Sequence, residues 1–256
     1  MNTQERRALL DSLHGVALDA GRAILAHYAD EIAIDITADR SPVTEADRAA
    51  EAVILAGLAR LAPAIPVVAE EQAAAMGLPT DAARRFFLVD PLDGTREFLK
   101  RNGEFTVNIA LIEDGRPTLG TVHLPALGLT YRGADGEAHA IDAAGRRAIR
   151  ARAASPEGLT VLISRSHLDK EATDAFMKTI AVKETVIAGS SLKFGRIAEG
   201  RGDLYVRLGR TMEWDTAAGH AVLEAAGGSV RTMDGASLGY GKPGFENPHF
   251  LARGAG

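Results

Sequence analysis

Four acidic residues in this 256-residue chain stand where carboxylates can do chemistry: Glu70, Asp90, Asp93 and Asp215. In FFLVDPLDGTREF (86–98) an apolar strand ends at Asp90, and Pro91 is expected to force the chain out of it. Asp93-Gly94 then makes a tight turn. Two carboxylates so spaced at a strand end can converge on one point, and a hard cation such as Mg²⁺ prefers oxygen ligands of this kind. The Leu92 carbonyl between them is free to join. The Gly94 and Thr95 amides would face the same point and hold a phosphate oxygen. VVAEE (67–71) is a second apolar run ending in acid, and Glu70 becomes a third ligand if the two strands pair.

EWDTAAGHAVLEAAGG (213–228) places Asp215 at the expected N-cap of an alanine-rich helix, an end that also attracts anions. SPVTEAD (41–47) offers Asp47, which either joins Thr44 in capping a helix or takes a proton from a water on the metal. GSSLKF (189–194) sets Gly189, Ser190 and Ser191 at a strand–helix junction, with Lys193 one turn on. Each piece alone is commoner as a turn, a solvated strand end or a helix cap than as a ligand. Trp214 reads as packing. The seven histidines form no zinc-site spacing and read as surface or satisfied positions, His220 being the least certain. No phosphate-binding G-x-x-x-x-G-K-[ST] loop and no G-x-S-x-G nucleophile elbow occur.

The elements that must position these groups follow from periodicity. Residues 4–28 repeat Leu9, Leu10, Leu13, Val16, Ala17, Ala20, Ile24 and Tyr28 at helical spacing. After the break at Arg40-Ser41-Pro42 a second helix is expected near Thr44, with Ala50, Val53, Ile54, Leu58 and Leu61 on its apolar face. Strands at 65–71 and 86–90 follow. Then comes an antiparallel meander (FTVNIALI, TLGTVHL, LTYRG) turning at Asp114-Gly115 and Asp135-Gly136. Beyond about residue 155, strands alternate with helices: TVLIS, a helix near 168–180, ETVIA, a helix at 190–199, DLYVRL, a helix at 215–226 and SVRTM. The expectation is an α+β metal-binding half over 1–155 and an α/β half over 156–256 that completes the site.

Bulk properties narrow the function. With 46% hydrophobic residues the chain can bury a sizeable core. A net charge of −5 argues against a nucleic-acid-coating protein. The absence of cysteine excludes disulfides, thiolate zinc sites and cysteine nucleophiles. The N-terminus has no apolar signal core, and no run is long enough to span a bilayer. A cytoplasmic enzyme fits, with attachment to the inner face of the cell membrane left open. Nothing in the sequence fixes an oligomeric state.

The strings VVAEE, DPLDGT and WDTAAG, in this order, resemble the inositol monophosphatase superfamily. DPLDGTREFLKRNGEFTVNIALI, GSSLKF, LYVRLG and WDTAAGHAV are most similar to its bacterial 3′(2′),5′-bisphosphate nucleotidases of the CysQ type. The resemblance implies a layered αβαβα sandwich and a Mg²⁺-dependent phosphomonoesterase with two or three ions. It implies hydrolysis of adenosine 3′,5′-bisphosphate, and of its sulfated form, in sulfate assimilation. It assigns Glu70, Asp90 and the Leu92 carbonyl to one metal, and Asp90, Asp93 and Asp215 to a second. Asp47 and Thr95 would orient and deprotonate the attacking water. Substrate contacts would come from these ligands, from Gly94 and Thr95, and from Ser190, Lys193 and Arg207 on the nucleotide side.

Two departures stand out. Relatives often carry lysine before SPVT, where this chain has Thr37-Ala38-Asp39-Arg40, and eukaryotic relatives often have histidine where it has Thr216. Competing expectations are an inositol monophosphatase, a fructose bisphosphatase, or a non-catalytic nucleotide or metal sensor.

Overall fold

The computed structural model describes residues 1–28, 42–165 and 169–256, with 42–44 as backbone only. The expectations for Thr37–Ser41, and for the Thr44 side chain as a cap, lie outside what is described.

The amphipathic pattern becomes α1 (Thr3–Tyr28), with Leu9, Leu10, Leu13, Val16, Ala17, Ala20 and Ile24 all buried. The second helix, α2 (Pro42–Leu61), starts two residues before the expected position, because proline with its fixed φ suits the first helical turn. Ala50, Ile54 and Leu58 of its expected apolar face are buried, whereas Leu61 at the helix end is 40% exposed.

Seven strands then form a sheet in sequence order: β1 (Val67–Ala69), β2 (Arg85–Asp93), β3 (Thr106–Glu113), β4 (Arg116–Leu124), β5 (Leu129–Ala134), β6 (Glu137–Asp142) and β7 (Gly145–Ile149). β1 and β2 are parallel and the rest antiparallel. The hairpin turns fall where expected. Asp114-Gly115 (φ 50° and 75°) and Asp135-Gly136 (φ 50° and 76°) both adopt the paired left-handed conformation that matches strand twist.

A second sheet, ordered β11-β12-β10-β8-β9, comprises β8 (Leu159–Ser164), β9 (Val182–Ala188), β10 (Leu204–Arg207), β11 (Ser229–Thr232) and β12 (Phe250–Arg253). β12, for which the sequence pattern gave no expectation, pairs antiparallel with both β10 and β11. The helices α5 (Lys170–Met177), α6 (Leu192–Ala198) and α7 (Glu213–Ala225) belong to this stretch.

Side-chain alternation sorts the layers. On β2, Phe87 and Val89 join the core under α1 and α2, while Phe86 and Leu88 face the opposite core, shared with Phe194 of α6, Ala217, Ala218 and Val222 of α7, and Tyr205 and Phe250 of the second sheet. The outer face of that second sheet packs Val161, Leu204 and Val206 against Phe176 and Met177 of α5. The result is the expected αβαβα order. Close approach of α7 to the first sheet depends on Gly120, where a Cβ would lie 2.3 Å from the Ala218 carbonyl oxygen. Among the described residues no helix is long and apolar enough to cross a membrane.

Candidate active site

The carboxylates converge because of strand register. Ala69 of β1 pairs with Val89 of β2, so Glu70 and Asp90 emerge side by side at the same sheet end. Glu70 does not end a strand as expected. It opens a short helix, α3 (Glu70–Met76), consistent with the favourable position of an acid in a first helical turn. Pro91 likewise does not end β2. The strand runs on to Asp93 through a bulge: Asp90 pairs with Asn108 and Asp93 with Thr106, so the partner strand is one residue shorter. A bulge accommodates proline because a ladder donor is not required there. The Asp90 carboxylate accepts the Leu92 N–H (3.1 Å). Gly94 then takes a left-handed conformation (φ 92°) and caps α4 (Thr95–Leu99).

The fourth carboxylate comes from α7. Asp215 is not the N-cap as expected. Met212 holds that position, and Asp215, three residues on, accepts the Met212 N–H at 2.9 Å. Oxygens of Glu70, Asp90 and Asp215 lie within 4.8 Å of one another. Asp93 lines the same cleft, anchored through Oδ2 by the Ser191 N–H (2.7 Å), with Thr106 Oγ1 at 3.4 Å and Asn108 Nδ2 at 3.5 Å.

The cleft encloses about 410 Å³ between the ends of the two sheets. Besides the acids it is lined by Leu92, Gly94, Thr95, Ser190, Lys193 and Arg207. Asp47, on α2, is 5% exposed and is not part of the lining. The expected Gly189–Ser191 donors are already engaged by protein groups. The Gly189 N–H goes to Glu104 Oε2 (2.8 Å), Ser190 Oγ to the Glu104 carbonyl (2.5 Å) and Ser191 Oγ to the Asp215 carbonyl (2.6 Å). Lys193 is buried, its ammonium donating to the carbonyls of Ser190 (2.6 Å) and Ala188 (3.2 Å) above the Tyr205 ring. Arg207 donates to Ser164 Oγ (2.9 Å) and the Arg210 carbonyl (2.6 Å).

Burial and crowding govern the electrostatics. Desolvation, then Glu70 and Asp93, hold the Asp90 carboxyl well above the usual range, and desolvation, then Asp93, does the same to Asp215. Glu70 is pushed up to about 7 by desolvation, and Asp47 to about 8 by desolvation and then by Glu71, Glu70 and Glu51. Asp93 is raised less cleanly, because Lys193 and the Ser191 amide oppose its burial. Desolvation lowers Lys193 to about 8, countered in part by Asp93. Carboxylates so destabilised as anions, with an oxygen-only donor set, fit a hard divalent cation.

The sequence pattern did not single out Glu104, Arg165, Tyr205, Ser164, Arg210, Thr211 or Met212. Apart from Glu104, which braces the Gly189 turn, all of these line the cleft. Their types and spacing carry no motif, and only the approach of the two sheets gathers them. Among the described residues the two buried histidines are structural: His220 Nδ1 meets the Tyr240 hydroxyl (2.9 Å) and His123 Nδ1 the Thr130 hydroxyl (2.9 Å). Trp214 packs on Phe245.

Residues 5–253 match the inositol monophosphatase family, and the chain belongs to it. Within it, the chain is 46% identical over 245 residues to the 3′(2′),5′-bisphosphate nucleotidase CysQ of Shigella flexneri, covering 94% of this chain and 98% of that protein. The nucleotidase of the same name from Salmonella typhimurium gives the same identity and coverage. Among solved structures, CysQ from Bacteroides thetaiotaomicron superposes with a TM-score of 0.82 at 34% identity over 96% of both chains. An inositol monophosphatase from Zymomonas mobilis superposes with a TM-score of 0.80 at 28% identity, over 96% of this chain and 92% of that one. This metal-dependent family membership agrees with the acidic cluster.

Proposed function

We propose that this protein is a magnesium-dependent 3′(2′),5′-bisphosphate nucleotidase, converting adenosine 3′,5′-bisphosphate to AMP and phosphate, and the sulfated form to adenylyl sulfate, in the cytoplasm. The observation that carries the proposal is the pairing, in one cleft, of the Glu70–Asp90–Asp215 cluster with Lys193 and Arg207. The acids suit cations and a reacting phosphoryl group, and the two basic side chains suit a second anionic group.

Glu70, Asp90, the Leu92 carbonyl, Asp93 and Asp215 would hold two or three magnesium ions. Such ions, when bound, neutralise the carboxylates, polarise the phosphoryl group and ease deprotonation of water. Gly94 and Thr95 orient the phosphate at the turn after β2. Water attacks phosphorus in line, the P–O bond to the ribose breaks, and the leaving oxygen takes a proton. Asp47 would accept the water's proton once bound cations offset the burial and the neighbouring acids that now favour its protonated form, and Thr95 would orient that water. Ser190, Lys193 and Arg207 bind the nucleotide side.

The test is phosphate release at equal Mg²⁺ from adenosine 3′,5′-bisphosphate, its sulfated form, inositol monophosphate and fructose 1,6-bisphosphate. The bisphosphate nucleotide should give the highest kcat/KM. Faster turnover of inositol phosphate or fructose bisphosphate overturns the assignment, and binding without release indicates a sensor.

A further inference from the structure

A further acid, Glu97, stands on the cleft wall beside the carboxylate cluster. It lies on α4, is only 2% exposed and lines the cleft. Its side chain is wedged between two backbones. A Cβ at Gly189 would lie 2.4 Å from Glu97 Cγ and 2.9 Å from Cδ, and a Cβ at Gly94 would lie 3.2 Å from its Oε2. At Gly189 a Cβ would collide with Glu97, and at Gly94 it would be tight while the φ of 92° itself favours glycine. One backbone belongs to the turn after β2 that would face the reacting phosphate. The other belongs to the turn that leads into α6 and carries Lys193.

That second turn is strained. Ser190 sits at φ 42°, a left-handed conformation that is strained for a serine and needs external bracing. The bracing comes from Glu104 on Gly189 and Ser190, from Asp93 on Ser191, and from the bulk of Glu97 against Gly189. Lys193 is tied to the same turn through the carbonyls of Ala188 and Ser190. Glu97 also acts electrostatically on both sides, favouring the charged form of Lys193 and opposing that of Asp93. A shift of the wedge therefore moves the turn, and the ammonium with it, relative to the carboxylate cluster.

We propose that Glu97 is a positioning residue that sets selectivity for a second anionic group, by wedging between Gly94 and Gly189 and fixing the turn that holds Lys193. The inference rests on the nucleotidase proposal for its substrate, but not for its geometry.

The experiment compares the wild type with Glu97→Ala, Glu97→Gln and Gly189→Ala in Mg²⁺. It measures kcat and KM for adenosine 3′,5′-bisphosphate and adenosine 3′-monophosphate. It also follows acetylation of Lys193 by acetic anhydride, by peptide mass, against exposed Lys170. Glu97→Ala and Gly189→Ala should lower the bisphosphate-over-monophosphate preference about tenfold, mainly through a higher KM for the bisphosphate. Both should acetylate Lys193 at least about fivefold faster, as its turn opens more often. Glu97→Gln, which keeps the bulk, should retain most of the preference. Equal losses on both substrates, or an unchanged preference, overturn the proposal. If the wild type shows no preference for the bisphosphate, the nucleotidase proposal fails by itself. The acetylation rate then decides, and an unchanged Lys193 rate in Glu97→Ala overturns the positioning role. Should Glu97→Ala fail to fold, Glu97→Asp, which shortens the wedge, is read in its place.

Discussion

Replacing Asp90 by asparagine separates the charge of this carboxylate from its hydrogen bond. The side chain is 1% exposed and accepts the Leu92 N–H, a bond that the asparagine oxygen can keep. The charge, by contrast, is opposed by burial and by Glu70, Asp93, Asp215 and Asp47, so the metal-free fold gains nothing from it. Asp90→Asn should therefore lower kcat/KM by at least about a thousandfold, the scale of losing a metal or oxyanion contact, without lowering the melting temperature in EDTA. Phosphate release and a thermal melt on the same preparation check both halves. Near-normal turnover would remove Asp90 from the metal site. Asp90, Glu70 and Asp215 were each ambiguous as residue types, since an acid at a strand end or helix start is ordinary. Their joint order along the chain made them legible. The wedge at Glu97 was not, because the two glycines it separates are distant in sequence and meet only in the fold.

α1 comes closest to a buried titratable group of the first sheet at Gly21. Gly21 of α1 lies against the His123 ring of β4, where a Cβ would come within 2.7 Å of Nε2. His123 is 4% exposed and bonded to Thr130 Oγ1, and burial, then His14, lowers its pKa to about 4, with Arg22 also facing it and the Leu129 backbone opposing. Between 6.5 and 4 the unfolded chain binds a proton here that the folded chain refuses. Stability from His123 is thus fully present above pH 6.5 and is lost as the pH falls toward 4, by roughly 3 kcal/mol. Wild type should lose about that much more than His123→Gln over this range, in urea denaturation at stepped pH. A constant gap between the two would show that the ring is not buried neutral. At this scale, local pattern located α1, both left-handed hairpin turns and the alternating faces of β2. It failed where tertiary pairing overrides local chemistry. Pro91 stays inside β2 because β3 accommodates a bulge, Glu70 opens a helix, and Asp215 sits three residues inside α7 because Asn247 and Glu246 hold the preceding backbone.

The cleft exists only as a product of the whole molecule. Its carboxylates come from the β1–α3 junction, from β2 and from the start of α7, and its cationic side comes from α6 and β10. Closing the layers therefore forces like charges together, and a cation that binds only the closed arrangement must stabilise all the layers at once. Linkage sets the size: at a hundredfold excess over Kd, binding adds about 2.7 kcal/mol, which for a chain of this length is a rise of about 5–10 °C in Tm. Adding Mg²⁺ to the EDTA-treated protein should produce such a rise. NaCl at matched ionic strength should not, because screening alone does little for groups buried this deeply. Asp90→Asn and Asp215→Asn should each lose most of the rise, although one contributes from β2 and the other from α7, whereas His123→Gln should keep it. A Mg²⁺ shift of the same size in all of these variants would mean that the ion binds elsewhere, and that the convergence of the two sheets on this cleft serves something other than a metal-dependent reaction.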